Sequence, residues 1–162
     1  MGYEPSAWSS FGGALAGISG ALTGLLFVAL SVKGAALSGS RTLSSRAAET
    51  LVLFMTSVLV ALVLVAPRPV TAAGAELIGL AAGTGAVLYT LDRRAGQASE
   101  PGVSRFVERY SPNTITAILV GVAGATLLAR AGGGLYWLIP AAAASLVGGV
   151  VNAWLFLVRL PG

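Results

Sequence analysis

The stretch WSSFGGALAGISGALTGLLFVALSV, residues 8–32, contains no charged residue. An α-helix rises about 1.5 Å per residue, so about 20 mostly apolar residues cross the hydrocarbon of a bilayer. This run is long enough with residues to spare. It is continuous rather than alternating, and rich in Ala, Leu and Gly, so it reads as a helix and not as a barrel strand.

Four further stretches have the same character. The second, about 47–66, is stopped by Pro67 and Pro69. The third, about 74–91, carries Glu76 in its first turn and runs into Asp92, Arg93 and Arg94. The fourth, about 112–129, is bounded by Arg130, and the fifth, about 135–158, by Arg159. No Pro/Gly linker divides the chain. The sequence predicts an all-α protein: one domain over 1–162, a polytopic transmembrane bundle of five spans.

Composition excludes the main alternative. Of 162 residues, 56% are hydrophobic and 10% charged, with a mean hydropathy of +0.85. Soluble domains are about 45–50% apolar and about 25% charged. A chain of this size buries only about 70% of its surface, too little to hide that much apolar area from water. The absence of His and Cys removes zinc fingers, haem ligation by His, disulfide scaffolds and Ser–His or Cys nucleophiles. HExxH, GxSxG, a paired intramembrane Asp and a metal-ligand cluster are also missing, and Gly132–Gly133–Gly134 lacks the following Lys-Ser/Thr of a phosphate loop. The expectation is a non-enzyme without cofactor or metal.

Charge gives orientation. Cytoplasmic loops carry the excess of Lys and Arg. With five spans and the N-terminus outside, Lys33, Arg41, Arg46, Arg93, Arg94, Arg105, Arg109 and Arg159 fall on the cytoplasmic side. Only Arg68 and Arg130 fall outside. The net charge of +4 thus follows topology; there is no basic, aromatic-interleaved face for nucleic acid. Trp8, Tyr136 and Trp137 fall at external helix ends, Tyr89 and Trp154 near cytoplasmic ones, where amphipathic rings anchor. The expected location is a bacterial cytoplasmic membrane, since nine Arg against one Lys with abundant Ala and Gly suits a high-GC source.

The two long loops are predicted on the cytoplasmic side. Residues 33–46 are Ser- and Gly-rich, with Ser45 a candidate cap for the second span. In the other, 92–111, Val103, Phe106, Val107 and Tyr110 recur at helical spacing opposite Arg105, Glu108 and Arg109. That pattern fits a short amphipathic helix on anionic headgroups, with Arg93, Arg94, Arg105 and Arg109 as the basic, lipid-facing set, or a solvated connector. Met1–Gly2 formally begins a myristoylation pattern, which an outside N-terminus argues against. The long apolar run without a basic leader argues against a cleaved signal peptide.

Small residues form stripes. Gly13, Gly17, Gly20 and Gly24 are spaced 4, 3 and 4 apart, on one face of the first span, and include two GxxxG pairs. The fifth span repeats the spacing with Ala141, Ser145, Gly148 and Asn152; the third carries Gly79 and Gly83, the fourth Ala117, Gly121 and Gly124. Lipid gives helices little hydrophobic reason to associate, so close backbone approach on small residues matters. Such stripes either pack the helices of one chain or mediate homo-oligomerisation; packing within the chain is the first expectation.

Polar groups at depth are few by this reading, and the midplane reads as Ala, Gly, Leu and Val. Glu49 is expected less than a turn inside the cytoplasmic end of the second span, and Asn152 about 9 Å inside that of the fifth. With Ser31 they form a candidate polar cluster for a cation or proton. The plainer alternative makes Glu49 and Glu76 dipole partners at helix N-termini and Asn152 interhelical glue. Pro140, one turn into the fifth span, is a candidate kink.

The strings ALTGLLFVALS from Ala21, RAAETLVL from Arg46, GGLYW from Gly133 and GVVNAW from Gly149 resemble a family of small actinobacterial polytopic membrane proteins of unknown function. Arg46, Glu49, Asn152 and Trp154 lie in those strings. Some members carry automatic labels as modulators of a membrane-bound ATP-dependent protease. The resemblance implies no reaction or ligand. The sequence points first to an accessory protein acting through helix contacts, and second to a multi-subunit ion or proton pathway using Glu49 and Asn152.

Overall fold

A computed structural model describes residues 2–32, 41–96 and 112–159. Among the described residues there are five α-helices: α1 (Ser9–Val32), α2 (Arg41–Val65), α3 (Val70–Gly96), α4 (Pro112–Ala129) and α5 (Leu138–Arg159). Short 3-10 turns, Pro5–Trp8 and Gly134–Trp137, lead into α1 and α5. Among the described residues there is no strand. Among these described helices, four are long and apolar enough to cross a membrane, and α4 is a shorter apolar one. The surface carries large exposed apolar side chains on all sides, among them Leu25, Leu62, Val87, Ile118 and Val147. This is the character of a multi-pass helical membrane protein, whose outer surface faces lipid.

Helix ends overrun the apolar runs, because backbone hydrogen bonding continues past the hydrocarbon edge. α2 begins at Arg41 rather than near 47, which puts Ser45 inside the helix and Glu49 two turns in, so neither caps it. α3 extends from Val70 to Gly96, so Asp92, Arg93 and Arg94 lie in its last turns, where cations favour the C-terminal dipole. Glu76 is accordingly beyond the first turn and pairs with Arg68 of the preceding loop. α5 starts at Leu138, so Pro140 falls where the backbone N–H lacks an intrahelical partner anyway; it need not kink the helix. Pro112 opens α4 at the position where its fixed φ is favourable.

The helices α2, α3, α4 and α5 form a closed ring, each packed on its sequence neighbour and α5 returning to α2; α1 lies outside, almost entirely on α2. Small residues set the spacing. A Cβ on Gly74 would meet Leu128 at 2.6 Å, and one on Gly124 would meet the Gly74 carbonyl at 2.8 Å; Gly121 faces Ala81 at 3.3 Å. These pairs rise along α3 as they fall along α4, so the two are antiparallel. Gly149 packs against the Phe54 ring and Gly148 against Pro112, while Gly12 lies 3.0 Å from Leu64. Each neighbouring pair is antiparallel.

At the Trp8 end the chain is tied shut. The Gly2 carbonyl accepts from Leu135 N–H at 2.8 Å, and the Tyr3 hydroxyl accepts from Gly133 N–H at 3.2 Å. Trp8 is buried edge-on between Phe11 and Tyr136, so it is core rather than an interfacial anchor. Tyr136 and Trp137 at this end, and Tyr89 and Trp154 at the other, are exposed as the belt reading expected.

The α4–α5 turn needs left-handed backbone at Arg130 (φ 50°), Gly132 (78°), Gly133 (105°) and Gly134 (57°). Ala131 N–H to Thr126 C=O and Arg130 N–H to Leu127 C=O close a Schellman motif, with Arg where Gly is usual. Arg130→Gly is expected to raise stability by about 1 kcal/mol by removing the Cβ penalty. Gly134→Ala is expected to lower it by about 2 kcal/mol, since its Cβ would also strike the Gly2 carbonyl and Tyr3 ring. Unfolding in detergent, followed by circular dichroism, measures both.

Candidate functional site

The buried polar residues sort by depth. Ser57 and Ser145 hydroxyls lie 2.8 Å apart, and Ser145 also donates to the Leu53 carbonyl at 2.9 Å. Thr56 and Thr84 hydroxyls lie 3.0 Å apart, and Thr116 and Ser19 are buried as well. The antiparallel registers put all six within about one turn of a common level: Ser19 on α1 opposite Thr56, Thr116 on α4 opposite Ser145. Every helix therefore contributes a hydroxyl. Ser19, Thr56 and Ser145 fall near the middle of the apolar segments Pro5–Val32, Ala47–Val65 and Gly134–Trp154. The middle of the bundle thus carries a belt of hydroxyls, where the sequence reading expected Ala, Gly, Leu and Val.

The belt divides the interior. Towards Trp8 the core is apolar, with Leu15, Val60, Leu64, Leu77, Leu127 and Leu138 packed together. Towards the other end lie Glu49 (8% exposed), Thr50 and Asn152 (7%). Seven residues below Thr56 is Glu49; seven below Ser57 is Thr50; seven beyond Ser145 is Asn152. A heptad step nearly preserves helical face, so Thr50 and Asn152 continue the α2–α5 seam and Glu49 continues the α3-facing side of α2. Glu49 and Thr50 are both engaged by partners. A carboxyl at that depth is costly and thus a functional candidate.

Ser31, the third member of the expected cluster, stands apart: it is exposed and donates to the Phe27 carbonyl of its own helix at 2.8 Å. The stripes also divide. Ala141, Ser145 and Gly148 do pack, against α2 and α4. Gly13, Gly17, Gly20 and Gly24 do not: each is exposed, and a Cβ on any of them would meet nothing within 4 Å. The chain buries the opposite side of α1, through Gly12, Leu15, Ser19 and Leu26, against α2. Gly79 and Gly83 are open too; Gly79 lines a groove of about 390 Å³ between α2 and α3, spanned at its mouth by Arg68 and Glu76.

In the basic set, Arg93 is exposed and sits over the Tyr89 ring at 4.7 Å. The Arg94 side chain, and Arg105 and Arg109 with the amphipathic segment that carries them, lie outside the described residues. Sequence reading missed Ser19, Thr56, Ser57, Thr84 and Thr116. For Thr56 and Ser57 the signal was the seven-residue repeat from Glu49–Thr50.

No family model, curated protein or solved structure matches this chain.

Interhelical hydroxyl pairs contribute about 0.6–2 kcal/mol in membrane proteins. Ser57→Ala and Ser145→Ala are each expected to cost about 1 kcal/mol, and the double variant less than their sum, because both break one bond. Gly149→Val, which drives a side chain into Phe54, is expected to cost more than either. A double-mutant cycle in detergent tests this.

Proposed function

We propose that the protein is a five-span, non-enzymatic protein of the bacterial cytoplasmic membrane, N-terminus outside and C-terminus inside, that acts as an accessory or modulator by helix association. The observation that carries this reading is the open glycine face of α1. Glycine in a helix interior costs about 0.5–1 kcal/mol relative to alanine, so four on one face cost about 2–4 kcal/mol. Among the described residues nothing packs on that face to offset the cost. A second helix lying on it would. The two GxxxG pairs make the face self-complementary, so the first occupant is a second copy of α1, crossing through backbone contact. The resemblance to proteins labelled as modulators of a membrane protease supports a second membrane protein as the alternative occupant.

Native mass spectrometry from nanodiscs tests the reading. The wild type is expected to be oligomeric, and Gly17→Ile with Gly20→Ile to yield monomer with unchanged unfolding, since both positions open outward. A wild type that is monomeric and purifies without a stoichiometric membrane partner would sink it. The topology has its own test: reporters at the two termini are expected on opposite sides, and finding both on one side refutes five spans.

A second reading has its own observation, the burial of Glu49 with Asn152 and Thr50 beneath the hydroxyl belt. In it several subunits form a proton or small-cation pathway. Proteoliposome flux that is robust in the wild type and lost in Glu49→Gln would establish this and displace the accessory role; no flux above empty vesicles would eliminate it.

A further inference from the structure

A cavity of about 10 Å³ lies at the level of the belt, lined by Leu15, Val60, Val120, Leu138, Ala141 and Ala142 on its apolar sides and by Thr56, Ser57 and Thr116. A water needs about 10–15 Å³ and two to four polar partners. Following the protons shows what the three hydroxyls offer. Thr116 donates to the Pro112 carbonyl at 2.8 Å. Thr56 donates to the Val52 carbonyl at 2.7 Å, so in the Thr56–Thr84 pair Thr84 is the donor. Ser145 donates to Leu53, so in the Ser57–Ser145 pair Ser57 is the donor. A hydroxyl has one proton and two lone pairs. All three protons are committed elsewhere, and the cavity meets acceptors only.

We propose that this cavity is a built site for one water molecule, held as a hydrogen-bond donor between α2 and α4 at the middle of the bundle. Its two protons match two of the three acceptors, and its size matches the space. A second hydroxyl donor of larger size does not fit. A bare cation is a poor match, because the lining carries no charge to offset desolvation. The water joins α4 to α2 across the ring.

Solid-state NMR of the full chain in lipid vesicles tests this by magnetisation transfer from water to protein. Expected is early transfer to Thr56, Ser57 and Thr116, at least about fivefold above that to Leu64 and Leu77, core residues that do not line the cavity. Thr116→Val, which keeps the shape and removes an acceptor, is expected to cut the transfer at Thr56 and Ser57 severalfold. Ala142→Val, which fills the space without touching a hydrogen bond, is expected to abolish it. Wild-type transfer no greater than at Leu64 and Leu77 would overturn the proposal whether or not either variant folds. Resonances of the three residues that titrate with sodium chloride but not choline chloride would overturn it in favour of a cation.

Discussion

In lipid, a helix gains almost nothing by turning apolar side chains from one apolar surroundings to another, so the bundle depends on how closely its backbones approach. The close approach is made at a few small residues. Gly74 and Gly124 bring α3 onto α4 with the Gly74 carbonyl against the neighbouring backbone, and Gly149 lets the Phe54 ring lie on α5. At those spacings short hydroxyl side chains reach across the gap, and so the Ser57–Ser145 and Thr56–Thr84 pairs can form. Without the glycines the hydroxyls would satisfy themselves only on their own helices, as Ser31 does.

The same constraint produces the division of the interior. Above the belt, the large aliphatic side chains of the ring pack against each other and the N-terminal strap closes the end through Gly2, Tyr3 and Trp8. Below it Glu49, Thr50 and Asn152 are buried among Leu26, Leu53, Phe54 and Leu88, and lipid offers these polar groups nothing to bond, so they have to be satisfied within the protein. α2 carries both halves. It packs on α1, α3 and α5 and is the most buried of the long helices, whereas α1 touches the bundle along one side only. A peripheral helix with a smooth unused face and a central helix with a polar stripe are different kinds of element, although both are runs of apolar residues in the sequence.

Much of this was legible from residue order. The uncharged run 8–32, the prolines at 67 and 69 and the arginines at 93, 94 and 130 locate the helices to within a turn or two. The α5 stripe of Ala141, Ser145 and Gly148 faces the bundle as its spacing implied. Glu49 and Asn152 stood out because ionisable and amide groups are rare at depth. The hydroxyls were overlooked because Ser and Thr bond their own helix at i−4 and pass as apolar in any window of hydropathy; only their pairing across helices makes them a site.

Sequence by itself determined that the chain is helical, apolar and multi-pass, because segment length and the cost of an unpaired peptide group in hydrocarbon allow little else. It also determined which faces are smooth. Which smooth face is used, only the tertiary structure decided. Gly13, Gly17, Gly20 and Gly24 have the better motif, yet α1 buries the opposite side with Leu15 and Leu26, while the less regular Gly74, Gly121 and Gly124 make a close crossing. A one-dimensional spacing specifies a face but not its partner. The partner is chosen by complementary shape across two helices, and that is a property of the packed bundle.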